Sequence, residues 1–284
     1  MTHKDILKKI KFIVFDLDGT LLNDEGNIGE ESKRLIRDLK KLDVRFSFAT
    51  GRLHNAITRF VEELEIVCPI ISLDGCLIKN QKQDKVIFES SIKEKYVKKA
   101  VHLADDLIVN IALCHADAIY YTENNSGILR LMNKASAQYQ QVDSYDNFFG
   151  STLEIVFAGD QKDSMKYIYD RLSFPYSLGL NASFYRSKSK ENIFYVEVRK
   201  AGISKGKSFL RLMKHYKVKP EEAVVIGDWY NDLSLFETGA YKVAVANAIP
   251  ELKNKADYVT SSTNHQDGVA EFLHLLLKVK LSNK

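Results

Sequence analysis

The stretch that decides the fold is Phe12-Ile13-Val14-Phe15-Asp16-Leu17-Asp18-Gly19-Thr20. Four consecutive apolar residues run straight into a polar loop. A short, β-prone run with no polar alternation suits a strand covered on both faces, as in a parallel sheet. Outward from it, the apolar residues Leu35, Ile36, Leu39 and Leu42 recur at helical spacing and predict a helix over 29–42. A strand over 44–48, a helix over 54–64 and a strand over 70–72 follow, so strands and helices alternate.

From about 82 to 198 that rhythm breaks. Strands are expected at 86–88, 107–112, 118–122, 153–158 and 193–198, with helices at 93–104 and 161–172. After Gly202 the first rhythm resumes: helix 204–216, strand 223–226, helix 232–238, strand 243–246 and helix 266–277. The expected fold is α/β, a doubly wound parallel sheet built from 1–81 and 199–284 and interrupted by an α+β domain over 82–198. A chain of 284 residues has room for two such domains.

Composition excludes several classes. With 45% hydrophobic and 27% charged residues, 4 prolines and 14 glycines, the chain is neither disordered nor collagen-like. The net charge of +4 is mild and both signs are interspersed; Lys8, Lys9 and Lys11, and Lys278, Lys280 and Lys284, cluster only near the ends. We therefore expect solubility charges and no nucleic-acid partner. No apolar run approaches the roughly 20 residues of a membrane span, and the N-terminal apolar stretch is too short and too polar for a signal peptide. Cys68, Cys76 and Cys114 form no CxxC and have no paired histidines nearby, so reduced thiols and a cytoplasmic location are expected.

Three polar clusters each follow a buried strand: Asp16 to Thr20, Ala49-Thr50-Gly51-Arg52, and Gly227-Asp228-Trp229-Tyr230-Asn231-Asp232. In parallel sheets, binding loops gather at such carboxyl ends. Asp16 and Asp18 leave a strand at i and i+2 and would repel one another without a cation. Asp228 and Asp232 add acid from another strand end, and an all-oxygen set selects Mg2+ over zinc. In isolation a DxD is better read as a polar turn or helix cap, whereas DxDGT directly after a four-residue apolar run is far more specific. Thr50 offers a hydroxyl, or a helix cap, beside Gly51, whose amide can approach an anion. Lys205 opens a helix, where positive charge opposes the dipole, so an anionic partner is expected unless the lysine is merely solvated. A candidate carboxylate nucleophile, a metal site, a hydroxyl and a lysine are what phosphoryl transfer requires. The sequence has no Gly-rich Walker loop and no GxSxG.

With Asp16-Leu17-Asp18-Gly19-Thr20-Leu21-Leu22, Ala49-Thr50-Gly51-Arg52, Ile203-Ser204-Lys205-Gly206, and Gly227-Asp228 with Asn231-Asp232, the chain resembles the haloacid dehalogenase-like (HAD) superfamily. Val245-Ala246-Asn247-Ala248, Lys253, Ala256-Asp257 and Asp267-Gly268-Val269-Ala270 resemble its Cof-like, subfamily IIB sugar-phosphatase group. The resemblance implies a Rossmann-like core, with the inserted domain as a cap that chooses the substrate. It implies Asp16 as nucleophile and Asp18 as acid and base. Mg2+ would sit on Asp16, the Asp18 carbonyl and Asp228, with Asn231 and Asp232 supporting. Thr50, Gly51, Gly19 and Lys205 would hold the phosphoryl group, with Arg52 a possible contact or a structural ion pair.

One departure is Asp74-Gly75-Cys76 where the group carries Asn-Gly-Ala. An ionised Asp only accepts hydrogen bonds, so Asp74 would face a substrate hydroxyl or amine, or would weaken phosphate binding. Phe184-Tyr185-Arg186-Ser187-Lys188-Ser189-Lys190 is expected to be a solvated hairpin, with contact to an anionic substrate as the alternative, and His115, Tyr120 and Tyr121 are expected to pack inside the inserted domain. The implied activity is a Mg2+-dependent phosphatase acting on a small phosphorylated metabolite, such as a sugar phosphate. A phosphomutase of the same chemistry and a non-catalytic metabolite sensor are the alternatives.

Overall fold

A computed structural model describes residues 3–132, 137–187 and 192–282. The chain divides into two compact units: one of 1–51, 58–87 and 204–284, the other of 52–57 and 88–203.

The first unit is built on a five-stranded parallel sheet in the order Tyr258–Val259, Tyr241–Ala244, Ala223–Gly227, Phe12–Phe15, Arg45–Phe48. Every residue of Phe12–Phe15 and Ala223–Gly227 is buried, as their unbroken apolar character requires. Successive strands leave Phe12–Phe15 on one side, and after the second unit they restart on its other side. The order therefore reverses between Phe12–Phe15 and Ala223–Gly227, which is where open α/β sheets place their sites. Ile70–Ser72 extends this arrangement through a parallel bridge from Ile71 to Ala49 and pairs with Leu77–Asn80, which neighbours Lys85–Glu89. Helices Glu30–Lys40 and Gly268–Leu281 pack on one another, and Lys205–Tyr216 packs on the Leu73–Gly75 turn.

The second unit carries a six-stranded sheet ordered Leu180–Arg186, Phe194–Lys200, Glu154–Gly159, Asn110–Cys114, Ile119–Tyr121, Tyr139–Gln141. All pairings are antiparallel except the last. Helices Glu94–Leu107 and Lys162–Arg171 cover it, and their Val97, Ala100, Met165 and Ile168 share a core with Ile111, Phe157 and Val196. His115 and Tyr120 are buried edge to face at 4.8 Å, and Tyr120 lies 4.3 Å from Phe148.

Several local expectations need correcting. No helix forms over 232–238: a 3-10 turn at Tyr230–Asp232 is followed by further turns, because the Asp232 carboxylate folds back onto the backbone amides of Asp228 and Trp229. The strand expected from 107 begins at Asn110, since the preceding helix runs to Leu107 and closes with Ile108 in a left-handed cap. Leu77–Asn80 and Leu180–Arg186 are strands that lacked a readable pattern. The compact units divide after Ile87 and after Ile203, where 82 and 198 were expected, and residues 52–57 join the second unit as well. Within the basic 184–190 segment, Phe184, Tyr185 and Arg186 lie on a strand, with Tyr185 donating to Glu197 at 2.7 Å; Lys188, Ser189 and Lys190 lie outside the described residues.

Candidate active site

Asp16 is the first residue beyond Phe12–Phe15, and its amide donates to Ile226 O at 2.9 Å. That bond locks it beside the neighbouring strand, 5% exposed. Lys205, the first residue of its helix, is fully buried and donates to Asp16 Oδ1 at 2.6 Å and Asp232 Oδ1 at 2.8 Å. These carboxylates are the anionic partners that a lysine at a helix N-terminus requires. The helix is capped by Ser204, whose Oγ accepts from the Lys207 amide.

Asp228 follows Ala223–Gly227 and accepts from Thr20 Oγ1 at 2.6 Å. Gly19 has φ +80°, and a Cβ there would stand 2.5 Å from Asp228 Oδ2, so only glycine permits the approach. Asp232 accepts from Lys205 through one oxygen, and through the other from the amides of Asp228 at 3.0 Å and Trp229 at 3.2 Å. It is thereby an anchor behind the site. One oxygen each of Asp16, Asp228 and Asp232 lie within 4.8 Å of one another. The Asp18 side chain is outside that cluster and exposed.

Thr50 is fully buried; its amide donates to Ile71 O at 2.9 Å and its carbonyl accepts from the Asp74 amide at 3.0 Å. The next helical turn begins at Asn55, so Thr50 is not its cap. Asp74 lies against Gly51, accepts from Asn231 Nδ2 at 2.9 Å and comes within 4.0 Å of Lys205 Nζ. Arg52 groups with the second unit.

The electrostatics are dominated by crowded acid. Burial lifts Asp16 well above the ordinary carboxylate range; Lys205 draws it back, while Asp232 and Asp228 push it further up. Burial also raises Asp228, to about 6, against the Thr20 hydrogen bond and with help from Asp232. For Lys205 burial acts downward, but Asp16, Asp232 and Asp74 together hold it above an ordinary lysine. One ammonium facing so many carboxylates leaves negative charge to be met. A hard divalent cation on these oxygens, with neither His nor Cys in the cluster, fits that need.

Sequence reasoning missed one part. Asn247 Nδ2 donates to Gly19 O at 2.7 Å, and its Oδ1 accepts from the amide of Asn264, whose own side chain donates to Leu22 O at 2.9 Å. The pair clamps the 18–22 loop from the far end of the chain. Its only advance signal was the Val245-Ala246-Asn247-Ala248 motif, which carries no chemistry by itself.

A profile of the haloacid dehalogenase-like hydrolases matches residues 13–273. Two Bacillus subtilis (strain 168) proteins named as 5-amino-6-(5-phospho-D-ribitylamino)uracil phosphatases, YitU and YwtE, are similar to the chain. The first is 25% identical over 92% of this chain and 95% of its own length; the second is 28% identical over 94% and 98%. Among solved structures, one from Thermotoga maritima has a TM-score of 0.80 at 26% identity, covering 94% of this chain and 97% of its own. A haloacid dehalogenase-like hydrolase from Bacteroides thetaiotaomicron shares the fold, with a TM-score of 0.80 at 24% identity over 94% and 99%. The chain belongs to the haloacid dehalogenase-like hydrolase family, among its Cof-like members.

Proposed function

We propose that the protein is a Mg2+-dependent phosphatase that hydrolyses a small phosphomonoester through a phosphorylated Asp16. The observation that carries this reading is the Lys205 bridge to Asp16 and Asp232 beside Asp228, at the point where strand order reverses. Asp16 is the nucleophile: with one oxygen held by Lys205, the carboxylate is oriented for in-line attack. An Asp16–phosphorus bond forms as the bond from phosphorus to the ester oxygen breaks. Asp18, exposed at the mouth of the loop, gives its proton to the departing alkoxide. It then takes a proton from water, whose oxygen attacks phosphorus, releasing inorganic phosphate and restoring Asp16.

Thr50, Gly51, Gly19 and Lys205 bind the phosphoryl oxygens. A Mg2+ held by Asp16, Asp228 and the Asp18 carbonyl would supply charge neutralisation of the transferring group, with Asn231 and Asp232 fixing that shell. The name of the two Bacillus subtilis relatives, with a phosphate ester on a ribityl chain, supports a sugar or polyol phosphate as the substrate class. Cys68, Cys76 and Cys114 are buried and share no disulfide among the described residues, which supports a cytoplasmic location.

The test is phosphate release with Mg2+ from p-nitrophenyl phosphate and from a panel of sugar and polyol phosphates. Turnover of several panel members that stops on chelation is expected. Failure to release phosphate from any of them would sink the reading.

A further inference from the structure

Asp74 puts a carboxylate where a phosphate site has little use for one. Leu73 and Asp74 both adopt φ of +49°, two successive non-glycine residues in the left-handed region, an arrangement that persists only where its surroundings hold it. The Asp74 amide donates to Thr50 O, and the carboxylate lies flat on Gly51: a Cβ on Gly51 would stand 3.3 and 3.5 Å from its two oxygens. Oδ1 accepts from Asn231 Nδ2 at 2.9 Å and is 4.0 Å from Lys205 Nζ. Lys205 beneath it has no exposure, whereas the Asp74 side chain keeps 18%. The carboxylate is therefore aimed and held, and it can be reached from outside.

A phosphate dianion on Thr50, Gly51 and Lys205 would lie beside this negative group and be repelled by it. An ionised carboxylate only accepts hydrogen bonds, so a substrate offsets this repulsion when it brings a donor of its own to the exposed side of Asp74, beside those from Asn231 and Lys205. Because Asp74 borders the phosphate cradle itself, such a donor must lie within a few bonds of the ester oxygen. We propose that Asp74 is a specificity-determining residue that selects phosphomonoesters bearing a hydroxyl or an amino group on the carbon next to the ester carbon. The inference rests on the phosphatase reading and sharpens its substrate class.

Three probes separate the cases: ethyl phosphate, 2-hydroxyethyl phosphate and 2-aminoethyl phosphate, each followed by phosphate release with Mg2+. The wild-type kcat/KM should favour at least one donor-bearing ester over ethyl phosphate by about tenfold, the worth of one charge-assisted hydrogen bond. Which ester is favoured tells hydroxyl from amine. In Asp74→Asn the preference should shrink severalfold, and inorganic phosphate should inhibit more tightly as the repulsion goes. Asn231→Ala, which removes the donor that aims the carboxylate, should shrink the preference in the same direction. A purely structural Asp74 would move none of these ratios. Equal use of all three esters by the wild type overturns the inference without any variant, and so does an unchanged preference in Asp74→Asn. If the wild type releases no phosphate from these esters or from p-nitrophenyl phosphate, the phosphatase reading fails and takes the inference with it.

Discussion

Lys205 donates to Asp16 across 189 residues of sequence, Nζ to Oδ1 at 2.6 Å, from a position with no solvent exposure. The same ammonium reaches Asp232 at 2.8 Å, so one cation ties the end of the central strand to the turns after Gly227. Replacing it with a neutral side chain leaves buried carboxylates without a counter-charge. Lys205→Met should lower unfolding free energy by about 3–5 kcal/mol, the cost of breaking a buried pair on one side. Urea denaturation would check this; a wild-type midpoint would refute it.

Asp16→Asn keeps the side-chain shape and an oxygen for Lys205 to bond, but removes the carboxylate proposed as the nucleophile. Phosphate release should fall by roughly 10³-fold or more, with secondary structure intact by circular dichroism. Residual activity near that of the wild type would remove Asp16 from the mechanism.

The raised carboxylates predict how metal, pH and stability are linked. Asp228 stands at about 6 in the metal-free protein and Asp16 is also raised, both above the unfolded value of about 3.9. An acid raised in the folded state contributes stability that is fully present below the unfolded pKa and is lost as pH rises through the folded one. Chelated protein should therefore lose stability as pH rises from about 4 through about 6, a window set by the Asp228 value, with the raised Asp16 adding to the loss in the same direction. At the proposed site Mg2+ would replace protons on the same oxygens, so its stabilisation should be greater near pH 8 than near pH 5. Melting temperatures with Mg2+ and with chelator at the two pH values measure this. A metal effect independent of pH would contradict it.

Gly19→Ala introduces a Cβ that meets Asp228 Oδ2 at 2.5 Å, on a backbone at φ +80°. Asp228 must move, and the left-handed alanine costs about 1–2 kcal/mol. We expect a modest fall in melting temperature and a much larger loss of kcat/KM, on the order of 10²-fold, as is found when catalytic groups are displaced by about 1 Å. Parallel loss of stability and activity, or no loss of activity, would argue against this close approach.

In the second unit, Glu154 is fully buried and meets Arg199 on the adjacent strand at 2.5 Å. Arg199→Ala should destabilise the protein by about 3–5 kcal/mol, whereas Glu154→Gln combined with Arg199→Met should cost much less. A double-mutant cycle by chemical denaturation decides it; additive losses would exclude the coupling.

The two outer stretches of the chain were more legible than the middle. Phe12–Phe15 and Ala223–Gly227 are buried on both faces, so apolar run and strand coincide, and the acids that follow fall at their carboxyl ends. The expected helix at 232–238 failed because a side-chain-to-backbone bond, from Asp232, competes with helical pairing and leaves no periodic trace. Leu180–Arg186 is a sheet edge in which Leu180, Ala182 and Phe184 alternate with exposed Asn181, Ser183 and Tyr185, but only Leu180 is buried, so the apolar signal is faint. Residue types nominated Asp16, Thr50, Asp228 and Lys205, but the Asn231–Asp74 bond and the Asn247 clamp on Gly19 join segments more than 150 residues apart. Such contacts depend on backbone placement, which no local pattern encodes.

The parallel pairing of Val14 with Val225 also bears on how the chain is made. During synthesis Asp16 leaves the ribosome long before Lys205 and Asp228 exist, and its strand has no neighbour on that side until Ala223–Gly227 emerges. Closing so long a loop is entropically slow, and it becomes easier if the intervening 88–203 segment has already condensed into a compact unit, which shortens the free chain to be closed. The carboxylate cluster is thus complete only once the late segments have emerged, and a nascent or truncated chain carries Asp16 without the lysine that holds it.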